Sequence, residues 1–127
     1  MTENNLPANT LSRDERLRGK ISISTLMGKG KWGSCSCFKY CVLSPNGKEF
    51  SRIMVSVPKR LFKRAVKRNL LKRRIREAYR TQKAVLGDTC ADILFQYNTS
   101  EILPGSQING IVLEILNKIS QWEPSGK

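Results

Sequence analysis

One segment of the chain constrains its fold more than any other. It runs from Lys59 to Arg80 and holds eleven Lys or Arg but a single acid, Glu77. Its apolar residues recur at helical spacing, which places them in one row along a helix: Leu71, Ile75, Ala78 and Tyr79. We therefore predict a helix over residues 59–80 that packs this apolar row on the rest of the domain and keeps its charges at the surface.

The segments on either side of this helix have the composition of β-strands. Residues 34–43 predict a first strand, residues 44–47 (SPNG) a hairpin turn, and residues 50–57 the returning strand, which Pro58 ends. After the helix, the apolar run at residues 91–97 predicts a strand that is buried on both faces.

A helix is predicted near each end of the chain. Residues 20–27 form the first, ended by Gly28 and Gly30, and residues 104–122 form the last, with Ser106 as its N-cap. The last helix has one apolar face, made by Ile108, Ile111, Val112, Ile115, Ile119 and Trp122. Together these elements predict a small α/β sandwich.

The length of 127 residues indicates one domain, which we place at residues 13–122. Residues 1–12 predict a disordered tail and residues 123–127 a short C-terminal tail. The polar start is unlike a signal peptide, and there is no stretch of 18 apolar residues. We expect a soluble protein of the cytoplasm.

The chain has four cysteines and no histidine. A zinc site would need all four thiolates, Cys35, Cys37, Cys41 and Cys90, and their spacing lacks the C-x2-C pattern of common zinc sites. The alternative, which we favour, is that they are reduced thiols packed as small apolar residues.

The basic segment contributes ten of the thirteen net positive charges of the chain. Its basic residues include a row spaced by four, with Asn69 and Arg73 beside it: Arg64, Arg68, Lys72, Arg76 and Arg80. A solvated helix face usually mixes both signs, whereas a face of one sign that is rich in Arg favours phosphate contacts. A membrane-surface helix would need a bulky aromatic face, which this segment lacks.

RNA is a better candidate than DNA, because the basic helix lies between strands and not in a helix–turn–helix. Phe38 and Tyr40 are two apart on the first predicted strand, so they share one face of the sheet. If that face lies against the first helix, near Met27, the two rings are candidates for stacking the bases of a single strand.

The sequence KRAVKRNLLKRRIREAYR resembles the signature of the bacterial ribonuclease P protein family. That signature is met by Lys63 or Arg64, Ala65, Arg68, Asn69, Lys72, Arg73, Ile75, Arg76 and Tyr79. Leu70 stands where the family often has the second arginine of an Arg-Asn-Arg core. Ile23 and Met27 stand where the family has phenylalanines on its first helix.

This resemblance implies an α-β-β-β-α-β-α fold akin to the second domain of ribosomal protein S5, with a left-handed β-α-β crossover. It also implies one more strand than we separate from the pattern. The activity it implies is that of an accessory subunit in a ribonucleoprotein endoribonuclease, which removes the 5′ leader of precursor tRNA. The catalytic site would belong to the RNA subunit, with Mg²⁺ held there and no cofactor, catalytic residue or metal ligand in this chain.

The implied partners are the catalytic RNA and precursor tRNA, with neither a membrane nor another protein required. The RNA-binding residues would be Lys59, Arg60, Arg64, Lys67, Arg68, Asn69, Lys72, Arg73, Arg76 and Arg80. The cleft for the leader would be lined by Met27, Phe38 and Tyr40. The alternative function is a ribosomal or other structural RNA-binding protein with no enzyme role.

Overall fold

A computed structural model of the protein describes residues 13–121. Over this range the chain forms three α-helices and a four-stranded sheet in the order α-β-β-β-α-β-α. The elements are α1 Lys20–Lys29, β1 Lys31–Cys35, β2 Phe38–Leu43, β3 Arg52–Ser56, α2 Ala65–Gln82, β4 Asp92–Tyr97 and α3 Gly105–Ser120, with short 3₁₀ turns at Arg13–Glu15 and Lys83–Leu86. The predicted tails, 1–12 and 123–127, and Trp122 lie outside the described residues.

The sheet has the strand order β1-β2-β4-β3. β4 runs antiparallel to β2 and parallel to β3, so it separates the two strands that we expected to form a hairpin through SPNG. That prediction is wrong. The physical reason is that β4, which is buried on both faces as predicted, pairs along both of its edges, with β2 on one side and with β3 on the other.

The predicted strand 34–43 is in fact two strands, β1 and β2, joined by a tight turn at Ser36 and Cys37. Ser36 has a φ of 55°, the left-handed conformation that a tight turn requires. This is the additional strand that the family resemblance implied.

The junction between α1 and β1 requires glycine. A Cβ on Gly30 would lie 2.5 Å from the Leu26 carbonyl oxygen and 2.6 Å from Cys41 Sγ. The chain can therefore leave the helix close to β2 and start β1 beside it. The first helix extends to Lys29, and Gly28 lies inside it, so only Gly30 of the two predicted terminators ends the helix.

Two helices cover one face of the sheet and one helix covers the other. α2 and α3 pack together over the main core, which includes Val42 of β2 and Phe95 of β4. α1 packs on the opposite face through a small cluster of Leu26, Cys41 and Leu94. The domain is thus an asymmetric sandwich in which α1 covers only part of its side of the sheet.

The starts of α2 and α3 differ from what their sequence patterns indicated. α2 starts at Ala65, because Arg64 is extended, and residues 59–64 form turns before it. α3 starts at Gly105 with Pro104 at the N-cap position and no side-chain cap, so the predicted capping role of Ser106 is wrong. The apolar row of α2 and the apolar face of α3 within the described residues are buried, as predicted.

Candidate nucleic-acid interface

The face of α2 opposite its buried row is a basic surface. Lys67, Asn69 and Arg73 are exposed, and Lys72 and Arg76 are half-buried beside them. These residues are held in place because Leu71, Ile75, Ala78 and Tyr79 anchor the helix in the core. Of the predicted row, Arg64 is exposed ahead of the helix, and its four members within α2 are half-buried: Arg68, Lys72, Arg76 and Arg80.

Two arginines of α2 instead support the fold. The Nη1 of Arg68 donates to the carbonyl oxygens of Phe62 and Lys63, at 2.8 and 2.9 Å. The Nη1 of Arg74 donates to the Leu103 carbonyl oxygen at 2.7 Å, which ties α2 to the segment before α3. Arg68, which we expected to bind RNA and not to hold the fold, therefore closes the turn that precedes α2.

Arg76 lies near a second arginine that the sequence motif does not include. Burial, and then the charge of Arg16, lower the pKa of Arg76 from its ordinary value. The two like charges repel each other in the isolated protein, and a bound anion would relieve the repulsion. Arg16 is held there by its backbone pairing with Ile53 of β3. No local sequence signal could have found it, because sixty residues separate it from Arg76.

The remaining predicted contacts extend this surface at both ends of α2. Lys59, Arg60 and Arg64 are exposed in the segment that joins β3 to α2. Arg80, in the last turn, pairs with Glu77, which lowers the pKa of that carboxyl. The only acid of the basic segment is thus engaged with one of its own arginines.

Phe38 and Tyr40 do not lie where the cleft prediction placed them. They share a face of β2, as expected, but that face packs on α3 and not on α1. Phe38 is only 1% exposed and contacts the Tyr97 ring edge-on at 5.5 Å between centroids. Tyr40 is half-buried over Gly33, where a Cβ would lie 2.7 Å from its ring, and shares a cavity with Lys118 and Ile119. Their assignment to a cleft beside α1 is therefore wrong.

The open side of the sheet next to α1 carries a different aromatic residue. Trp32 of β1 is 46% exposed, and its Nε1 donates to the Met27 carbonyl oxygen at 3.3 Å. The Nζ of Lys39 lies 5.6 Å from the centroid of the indole. Met27, the third residue predicted for the cleft, is 43% exposed beside them. The sequence reasoning missed Trp32 because the split of residues 34–43 into two strands was not recognised.

Two further observations concern metal ligands and membrane spans. Residues 13–121 contain no group of three or more His, Cys, Asp or Glu side chains placed to hold a metal ion. No helix in this part of the chain is long and apolar enough to span a lipid bilayer.

Comparison with known proteins gives one consistent family. The family model described as Ribonuclease P matches residues 11–119. A ribonuclease P protein component from Porphyromonas gingivalis is 42% identical over 80 residues, which are 61% of this chain and 58% of that protein. One from Borrelia hermsii is 34% identical over 87 residues, 65% of this chain and 71% of that protein. The match thus spans about three fifths of the Porphyromonas relative.

Solved structures agree with the sequence comparison. The RNase P protein of Thermotoga maritima has a TM-score of 0.73 at 27% identity and covers 83% of this chain and 97% of its own. The RNase P protein of Staphylococcus aureus has a TM-score of 0.71 at 25% identity, covering 84% and 95%. Both the sequence and the fold therefore resemble those of ribonuclease P proteins.

Proposed function

Because this chain belongs to the ribonuclease P protein family, we propose that it is the protein subunit of a ribonuclease P that removes the 5′ leader from precursor tRNA. In this proposal the chain binds two RNAs. The surface of α2 contacts the catalytic RNA, and the open side of the sheet beside α1 receives the leader. The cleavage chemistry belongs to the RNA subunit, together with the Mg²⁺ that it holds.

The observation that carries the proposal is the basic surface of α2. Its charge cannot be explained by ion pairing within the helix, where Glu77 is the only acid and is paired with Arg80. It cannot be explained by packing either, since the buried row is apolar. A regular phosphate backbone is the partner that satisfies a row of guanidinium and ammonium groups.

The composition of the chain supports the assignment of the cleavage chemistry to the RNA subunit. Hydrolysis of a phosphodiester uses metal ions held by carboxylates, or a positioned acid and base. The sequence has no histidine. Binding of substrate and catalytic RNA by one protein would increase the affinity of the complex for its substrate, and would leave the reacting groups to the RNA.

The test is cleavage of precursor tRNA by the full chain, prepared free of RNA, with and without the catalytic RNA of the same genome. We expect cleavage in Mg²⁺ only when both components are present, and tighter substrate binding than the RNA shows alone. Cleavage by the protein alone would contradict the proposal. RNA recovered with the chain from cells should be the catalytic RNA, and recovery of ribosomal RNA in its place would support a structural role.

A further inference from the structure

Trp32 and Lys39 occupy the side of the sheet that α1 leaves open. In β1, Trp32 faces the same side as Cys41, its cross-strand partner, and Cys41 Sγ contacts the Leu26 carbonyl of α1. Lys39 is two residues before Cys41 on β2 and therefore points to that side as well. Both side chains are exposed, so they form the boundary of the cleft at its β1 edge.

Two neighbouring rows of side chains cross the strands on the side of the sheet that faces α1. The apolar row is Trp32, Cys41, Leu94 and Met54, and α1 covers its inner members. The neighbouring row is polar and at least partly exposed in all four strands: Ser34, Lys39, Gln96 and Ser56. Since β3 is followed closely by Lys59 and Arg60, this polar row extends from the basic surface toward Trp32.

The electrostatics of this surface favour an anion. Neither α1, β1, β2 nor β3 contains an acid. Asp92 of β4 is 3% exposed and accepts hydrogen bonds from Asn46 and from Arg52 Nε, at 2.9 and 2.8 Å. Lys29 and Lys39 are exposed at the β1 end of the cleft. A phosphate group near Lys39 therefore meets no uncompensated carboxylate from these elements.

We propose that Trp32 stacks a base of the 5′ leader while Lys39 contacts a phosphate of the same strand. The inference rests on the proposed function, because it requires that the cleft receives a leader. The indole is pre-positioned by its hydrogen bond to Met27 and needs no rearrangement to present its ring. Lys39 lies close enough to contact the same nucleotide. The base of that nucleotide stacks on the indole ring, and its phosphate pairs with the ammonium group of Lys39. In this chain the stacking aromatic thus comes from β1, while α1 presents Met27.

The test uses the holoenzyme of full chain and catalytic RNA with three precursor tRNAs. The first has a leader of several nucleotides, the second has a single leader nucleotide, and the third has a long leader whose positions are abasic. The abasic leader keeps the phosphates and removes the bases, so it separates the two proposed contacts. The variants are Trp32→Ala, Trp32→Phe and Lys39→Gln. Phe50→Ala is the control, since Phe50 is 38% exposed on the connection between β2 and β3.

Stacking of one base on an aromatic side chain predicts that Trp32→Ala weakens binding of the long natural leader by about 5- to 150-fold. It should leave the short and abasic leaders unchanged, and Trp32→Phe should retain most of the affinity. Lys39→Gln should weaken the natural and abasic long leaders alike. Phe50→Ala should bind all three substrates as the original protein does.

Other results would overturn the inference. The Trp32 contact is refuted if the original holoenzyme prefers the long leader and Trp32→Ala binds that leader with the same affinity. This result leaves the proposed function intact. Equal weakening of all three substrates assigns Trp32 to the fold. A holoenzyme with no preference for the long leader points to failure of the leader-binding proposal itself.

A fluorescence measurement covers the case in which Trp32→Ala folds poorly. The sequence has two tryptophans, so Trp122→Phe leaves Trp32 as the only indole. Its emission should change when the long natural leader binds and stay constant with the abasic leader. A constant emission with both leaders refutes stacking.

Discussion

Replacement of both Lys72 and Arg76 by alanine should flatten the salt dependence of RNA binding. Each phosphate contact contributes about 0.7 to 0.9 to the slope of log affinity against log salt, so two lost contacts reduce the slope by about 1.4 to 1.8. Between 50 and 200 mM salt, the original protein should then lose about 7- to 12-fold more affinity than the variant. Filter binding or fluorescence anisotropy with the catalytic RNA at several salt concentrations measures this difference.

The thermal melt of this double variant should stay close to that of the original protein. Both side chains are half-buried on the solvent side of α2. Burial and the charge of Arg16 disfavour the charged form of Arg76 and lower its pKa. Its removal relieves a repulsion and breaks no hydrogen bond that holds the fold. A large drop in the melting temperature would show that these residues support the core.

Arg74→Ala is the control, because it removes one positive charge from the same helix, against two in the double variant. Its guanidinium donates to the Leu103 carbonyl oxygen, and hydrogen bonds to charged groups contribute roughly 1.5–3 kcal/mol. This variant should melt at a lower temperature and keep the original salt slope. The reasoning is refuted if the double variant keeps the slope or if Arg74→Ala flattens it equally.

Two further predictions concern stability. Gly30→Ala should destabilise the fold, since its Cβ would lie 2.5 Å from a carbonyl oxygen. Gly28 lies in open space within α1, so Gly28→Ala should stabilise the helix by about 0.5–1 kcal/mol. Urea unfolding measures both free energies, and equal effects of the two variants would contradict the close contact at Gly30. Burial raises the pKa of the Tyr79 phenol from its ordinary value of 10.0. The contribution of this phenol to the free energy of unfolding is therefore complete at neutral pH. It is lost as pH rises above about 10, because the phenol ionises first in the unfolded chain. Tyr79→Phe should lose less stability than the original protein between about pH 8 and pH 11, and an identical loss would assign the alkaline sensitivity to other groups.

The local sequence was sufficient for the features that depend on near neighbours along the chain. Leu71, Ile75, Ala78 and Tyr79 repeat at the helical period, so the buried row of α2 and its opposite basic face followed from spacing alone. The apolar run of β4 likewise predicted a strand that is buried on both faces, as the structure shows. The family resemblance depended on such a segment too, since its motif lies within the continuous stretch of residues 63–80.

The tertiary structure decided what depends on contacts between distant segments. The insertion of β4 between β2 and β3 cannot be read from the turn SPNG, because strand order is set by which apolar faces are buried together. The side of the sheet that Phe38 and Tyr40 face depends on where α1 and α3 pack, although their alternation was evident in the sequence. Arg16 approaches Arg76, and Arg68 closes a turn, only in the folded chain. The same reason applies to Trp32, since its place beside α1 follows from the close approach at Gly30 and from the pairing of β1 with β2.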